Sequence, residues 1–441
     1  MQRRDFLKYG AFSALTAGGF GSMLARAAGT DYKAAVCVFL SGGCDTNSMI
    51  VPIDSVGYAA YANGRKALAI PQSALLPIAP LSGGQYGLHP SMAALQSLFG
   101  QRRLAVLANV GTLSRPTTAE QANSGSWPLP DNLLSHNDQQ NQWVTLNPAN
   151  PDTITGWGGR LADALQGNNS AARFPAITST AGSNLFCDGA LGTAAAIDAG
   201  GAAGIAGASG SAIDNARMAA LQQVLADRGR PQLQGVYAAK AASALDQANT
   251  VGAVFNTTLA RVFPDTDIGQ QLFRVTQMIA ARGTLGLSRQ VFYVELGGFD
   301  THANQSATLQ DLFGQLSQAL AVFNNALIDL GVDQNVVTFT HSEFSRTFKP
   351  AGDNGNGSDH AWGGHSLILG GPVKGGDLYG TFPRLILSGP DDASDEGRWV
   401  PTTSVDQYAA TIASWMGVSD VDMTGVLPNL VNFQQKRLGF L

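Results

Sequence analysis

Short continuous apolar runs recur along the chain, and three of five run into segments that carry an acid or a histidine. Lys33–Leu40 (KAAVCVFL) runs into SGGCD, residues 104–110 (LAVLANV) into Gly111-Thr112, residues 290–296 (QVFYVEL) into GGFDTH, and residues 336–340 (VVTFT) into HSEFSRT. A fifth run, SLIL, spans 366–369. Runs of this length without strict alternation predict strands buried on both faces. Helical spacing of apolar positions fills the intervals at 91–99, 159–165, 212–227, 235–249, 267–282 and 309–330. Strands alternating with helices predict an α/β fold, a mostly parallel central sheet with helices on both faces. Residues 187–211 are rich in Ala and Gly and predict a loosely packed surface insertion. Residues 212–262 predict a helical hairpin placed to cap a site.

In open α/β sheets, ligands bind in the crevice beyond the carboxyl ends of the strands. Asp45, Asp300 with His302, and His341 with Glu343 all follow predicted strands. That shared placement says more than any one residue.

Composition narrows the function. The chain has 441 residues, 44% of them hydrophobic, enough for a large core. Only 13% are charged, the formal net charge is −5, and no Lys/Arg-rich run occurs, which argues against nucleic acid as a partner. The 52 glycines predict many tight turns. At the N-terminus, Arg3-Arg4 precedes Asp5-Phe6-Leu7-Lys8, a weakly apolar stretch, and Ala25-Arg26-Ala27. This pattern predicts a twin-arginine signal over residues 1–28, cleaved near Ala27, and a periplasmic or secreted protein with no stable membrane span. Residues 29–441 then form one domain, with the helical and Ala/Gly-rich insertion at about 185–265. The three cysteines, Cys37, Cys44 and Cys187, fit no zinc or redox spacing. Cys37 reads as core, and Cys44 as a loop residue beside Asp45.

The sequence has six histidines, and four of them, His302, His341, His360 and His365, fall in its last third. Residues 357–371, GSDHAWGGHSLILGG, place His360 directly after Asp359 and His365 five residues further on. Carboxylates take hard cations and neutral imidazole takes borderline ones, so such clusters point to a metal. Asp300 and His302, two apart, share one side of an extended segment. Asp359 and His360 diverge on a strand but converge at a turn. Each residue alone reads equally well as a cap or a surface pair. His89, before Pro90, reads as structural, and His341 as core or outer support. For a nucleophile, Ser135 in LLSHNDQQ sits at a predicted helix start, where free N–H groups favour an anion, with His136 beside it to activate or position. Thr112 and Ser114 are the alternatives.

Taken in order, the acid after the first strand, DTH after a late strand, SEFSRT, DHAWGGH and GGPVKGG resemble the exported domain-of-unknown-function family 1501. SHNDQQNQW at 135–143 and TGWGGRLAD at 155–163 extend the resemblance over nearly the whole mature chain. That family is similar to the alkaline phosphatase and sulfatase superfamily, which implies an alkaline-phosphatase-like fold and one or two divalent ions (zinc, manganese or calcium). The resemblance places one ion among Asp45, Asp359 and His360, and the other among Asp300, His302 and His365. It implies a hydrolase or transferase acting on phosphate or sulfate esters, with a small ester or a cell-envelope component as partner. Arg346, Lys349 and Lys374 would supply positive charge to an oxyanion. Two features depart from the superfamily: its late histidine follows the aspartate by four residues, where this chain has Asn304, and no C-x-P-x-R or S-x-P-x-R segment occurs. A non-catalytic binding or assembly protein that retains the fold is the alternative.

Overall fold

Along β1 (Lys33–Leu40), Ala34, Val36, Val38 and Leu40 enter one hydrophobic core, and Ala35, Cys37 and Phe39 enter another. This two-sided burial is why the strand carries no polar face. Each fully buried Val, Leu or Phe contributes about 1.5–3 kcal/mol relative to exposure. These observations come from a computed structural model that describes residues 31–148, 150, 152–192, 194–197, 211–227 and 231–441. The signal segment expected at 1–28 lies outside the described residues, as do residues 198–210 of the Ala/Gly-rich stretch.

β1 stands inside a nine-stranded sheet. Its neighbours are β8 (Arg289–Leu296) and β9 (Val336–His341), both parallel to it. β6 (Ile177–Ser179) and β7 (Ala195–Ala196) extend the β8 side in parallel. On the other side come β10 (Gly364–Leu369) and β5 (Leu104–Gly111), with β11 (Leu378–Gly380) and β12 (Thr403–Ser404) pairing parallel to β5. Among the described strands of this sheet, β10 alone runs antiparallel, to both β9 and β5. A separate small sheet joins β2 (Ile50–Pro52), β4 (Tyr86–Leu88) and β3 (Leu76–Ile78).

Helices cover both faces. Ala93–Gly100, Asp267–Ala280 and Gln305–Asp329 pack on the core of Val36 and Val38, while His136–Thr145, Trp157–Ala164 and Val405–Met416 pack on that of Cys37 and Phe39. The α/β architecture expected from the alternation of runs is the one observed. The antiparallel course of β10 was not in the pattern, and it matters for function. Because β10 starts at the edge where β1, β8 and β9 end, the segment just before it, carrying Asp359 and His360, arrives at those carboxyl ends.

The hairpin expected at 212–262 is present as helices Ala212–Ala226 and Gln232–Phe255. Gln277 Nε2 donates to the carbonyls of Phe255 and Thr257, and Gln247 lines a cavity with Asn169 and Arg173, so the hairpin is tied to the flank of the fold. Among the described residues, no helix is long and apolar enough to cross a membrane.

Candidate metal centre

Two loops meet through glycines. Gly42, at φ +115, lies under the loop after β8; a Cβ there would sit 2.4 Å from the amide nitrogen of Asp300. A Cβ on Gly357 would sit 2.0 Å from the carbonyl oxygen of His302. Only glycine permits either approach. The contacts bring the Asp300–His302 loop against both the β1 loop and the segment leading to Asp359 and His360. Gln305 fastens the junction: its Oε1 accepts from Thr301 Oγ1 at 3.2 Å and from Ser358 Oγ, and its Nε2 donates to Asp45 Oδ2 at 2.6 Å.

At this junction three imidazoles surround one carboxylate oxygen. His302 Nε2 lies 2.9 Å from Asp300 Oδ1, and His136 Nε2 and His360 Nε2 each lie 3.5 Å from it. The Nε2 atoms of His136 and His302 are each 3.1 Å from that of His360. His136 is the first residue of helix His136–Thr145, and Ser135 is its N-cap. Asp300 and His302 are about half exposed, so the cluster opens to solvent.

The outer nitrogens are held as well. His136 Nδ1 is 2.9 Å from Glu343 Oε1, and His360 Nδ1 is 2.6 Å from the Leu134 carbonyl. His302 Nδ1 faces Asp359 Oδ1 at 4.0 Å. Burial opposes the charge of Glu343, yet hydrogen bonds from His136, Gln140 and the Gly42 amide outweigh it and hold its pKa below the ordinary value. The bond to Glu343 in turn raises the pKa of His136. Burial likewise opposes the charge of Asp300, and the buried Arg346, whose Nη1 lies 2.7 Å from Oδ1, outweighs it and depresses the pKa. Burial lowers that of His360, whose carbonyl accepts from Arg398 Nε at 2.8 Å.

Not every expected residue joins. Asp45 is fully buried, and its Oδ2 pairs with the equally buried Arg65 and accepts from Ser48 Oγ at 2.6 Å. A guanidinium occupies the place expected for a cation. His365 sits inside β10, where its Nδ1 accepts from the Asn109 amide at 3.1 Å and its ring stacks on Phe382; burial lowers its pKa to about 3. Neither Asp45 nor His365 belongs to the groups of convergent donor atoms found among the described residues, His136–Asp300–His360 and His302–Asp359–His360. Asp359 is within reach, but its Oδ1 accepts the His360 amide at 2.8 Å. His341 lies in the core against Trp143, Trp157 and Tyr408. His89 is structural as expected, with Nδ1 accepting from the Ser91 amide. Cys37, Cys44 and Cys187 are buried free thiols.

Ser135 Oγ accepts from the Asp138 amide at 3.5 Å, the outer limit of such a bond. It stands between Leu134 and His136, both of which contact the cluster. Thr112 Oγ1 is buried and donates to Gln139 Oε1 at 2.6 Å, facing away from that role. Lys374 binds the Gly439 and Leu441 carbonyls after the far end of β10, so it cannot serve an oxyanion here. Arg65, Gln305 and Arg398 were not singled out from the sequence; nothing in their local pattern marks them.

The donor set fits a divalent cation: imidazole and carboxylate atoms converge, lie near solvent, and are oriented from behind by hydrogen-bonding partners. Residues 32–425 match the family described as Protein of unknown function (DUF1501). No curated protein matches the chain. Among solved structures, the lipoteichoic acid synthase LtaP from Listeria monocytogenes is similar at 8% identity and TM-score 0.34, over 90% of this chain and 76% of that one. The PsFucS1 sulfatase from Pseudoalteromonas sp. matches at 8% and 0.35, over 92% and 73%. The C-terminal periplasmic domain of EcEptC from Escherichia coli matches at 11% and 0.33, over 89% and 84%. Likenesses this distant carry no argument about chemistry, which rests on the site itself.

Proposed function

The chain belongs to the DUF1501 family, and from that premise we propose that it is an exported, metal-dependent hydrolase or transferase acting on phosphate or sulfate esters. One observation carries the reading: Asp300, His302 and His360 bring donor atoms together at the carboxyl ends of β1, β8 and β9. A cation held there supplies Lewis-acid polarisation of the ester's phosphoryl or sulfuryl group. Arg346 keeps Asp300 ionised, Glu343 and the Leu134 carbonyl fix the rings of His136 and His360, and Arg398 anchors the backbone of His360. Ser135 is the hydroxyl assigned as nucleophile, at the head of a ten-residue helix. The half-exposed site leaves room for a substrate whose bulk stays outside it, as a cell-envelope ester would.

The test combines metal analysis of the purified mature protein with a panel of aryl phosphates and sulfates. Turnover lost to a chelator and restored by zinc or manganese supports the reading. Bound metal without turnover on any ester class favours the binding or assembly alternative. For export, Arg3→Lys with Arg4→Lys is expected to hold the precursor in the cytoplasm; an unchanged periplasmic fraction would refute the twin-arginine route.

A further inference from the structure

We propose that the centre is mononuclear, with three imidazoles and one carboxylate as ligands: His136, His302 and His360 through Nε2, and Asp300 through Oδ1. This rests on the metal-dependent reading above and changes its content. His136 becomes a ligand, Asp359 an outer partner of His302, and the second ion disappears.

Hydrogen bonding on the outer side of the rings decides which nitrogens are free. A backbone carbonyl can only accept, so His360 Nδ1, 2.6 Å from the Leu134 oxygen, carries the hydrogen. The Glu343 carboxylate likewise takes the hydrogen of His136 Nδ1 at 2.9 Å. In its neutral form each of these rings presents its lone pair on the inner Nε2, and the two Nε2 atoms lie 3.1 Å apart. His302 Nε2 lies 3.1 Å from the same atom, and Asp300 Oδ1 lies 2.9–3.5 Å from all three. Acceptors packed this closely repel unless a proton or a metal cation lies among them, and a metal cation satisfies all of them at once. Zinc–imidazole bonds of about 2.0–2.1 Å give a tetrahedral edge of about 3.3 Å. The five separations that join Asp300 Oδ1 and His360 Nε2 to each other and to the Nε2 atoms of His136 and His302, 2.9–3.5 Å, bracket that edge.

The same geometry limits the number and type of ion. A second cation at Asp45 would sit against the Arg65 guanidinium, with both side chains fully excluded from water. Asp45 Oδ1 is buried with no hydrogen-bond partner among the described residues, but it has no imidazole beside it among the convergent groups. Three nitrogen donors and one oxygen select zinc or another borderline first-row ion over calcium or magnesium, which require mostly oxygen. Glu343 behind His136 is the carboxylate–histidine–metal arrangement that raises ligand basicity.

The experiment strips the mature protein with a chelator and titrates it with zinc, with cobalt as a visible spectroscopic probe, and with calcium. One equivalent of zinc or cobalt, with nitrogen-rich cobalt bands and no competition from calcium, is expected. His136→Ala should weaken zinc binding at least about tenfold, and Glu343→Gln by about 10–100-fold as an outer partner. Asp45→Asn should leave one equivalent bound. Two equivalents, tighter calcium than zinc, or unchanged affinity in a folded His136→Ala protein would each overturn the assignment. His136→Gln, checked for native circular dichroism, repeats the test should the alanine variant not fold. One zinc bound without ester turnover supports this centre and refutes only the catalytic reading.

Discussion

Arg346 lies fully buried with its Nη1 2.7 Å from Asp300 Oδ1, the same oxygen that three histidines surround. The pair is asymmetric, because Asp300 is half exposed. A cation out of water thus holds a carboxylate at the surface in its charged form. Arg346 Nη2 also binds the Ser358 carbonyl, tying the pair to the segment before Asp359.

Arg346→Met is therefore expected to destabilise metal-free protein at pH 7 by about 1–3 kcal/mol, the buried-pair cost discounted for the exposure of Asp300. The sign with pH follows from the depressed pKa of Asp300. Its stabilisation is present above the unfolded value of about 3.9 and is lost as pH falls through the folded value. Urea melts of both proteins should show the gap narrowing below about pH 4. An equal gap at pH 7 and pH 3 would assign the whole effect to the Ser358 bond.

Asp45 and Arg65 invite a double-mutant cycle. Each is fully buried, so Arg65→Gln or Asp45→Asn alone strands a charge and should cost about 3–5 kcal/mol. The double variant should cost clearly less than the sum, since no unpaired charge remains. Strictly additive losses would show that the two charges are not coupled. Bound metal per chain should be the same in all folded members of the cycle, because Asp45 stands outside the centre.

How far these relations could be read in advance depended on their range. β1 appears over the expected residues because eight consecutive positions are buried from both sides or closely flanked, a local signal. Asp300 and His302 were legible because they follow the end of β8, and His360 because it stands directly after Asp359 in a glycine-rich segment. Asp45 carried the same signal but a different partner: Arg65, twenty residues on, ends a helix with nothing to mark it as buried. His365 looked like a loop ligand, yet β10 begins at Gly364, two residues earlier than its apolar run suggests, and draws the ring into the sheet. His136 was expected beside Ser135 as an activating or positioning group, and the sequence cannot show that its Nδ1 meets Glu343 across 207 positions.

Asp406 supplies a pH effect away from the site. Burial raises its pKa to about 6, despite hydrogen bonds from Ser404 Oγ at 2.7 Å and Asn429 Nδ2 at 3.0 Å. Here the folded state binds the proton more tightly than the unfolded chain, so the contribution is present below about pH 3.9 and is lost as pH rises towards 6. Asp406→Asn keeps an oxygen for both donors and removes the titration. Relative to wild type, the variant should gain on the order of 2–3 kcal/mol between pH 4 and pH 7, taking about 1.4 kcal/mol per pKa unit. A stability difference independent of pH over this range would show that Asp406 is charged in the fold throughout.

Ser135 separates capping from catalysis. Its cap bond to the Asp138 amide is long at 3.5 Å, so Ser135→Ala should cost at most about 1 kcal/mol, and Ser135→Gly only a few tenths. Neither change touches a ligand of the proposed centre, so metal content should stay at the wild-type level in both. If Ser135 is the nucleophile, ester turnover should fall by at least about 10³-fold in both variants alike, since the loss of an attacking hydroxyl is not repaired by a better cap. Thr112→Val should retain turnover, because Thr112 Oγ1 is committed to Gln139. Turnover surviving in Ser135→Gly with metal intact would exclude an intermediate on Ser135 and leave the attack to Ser114 or to water.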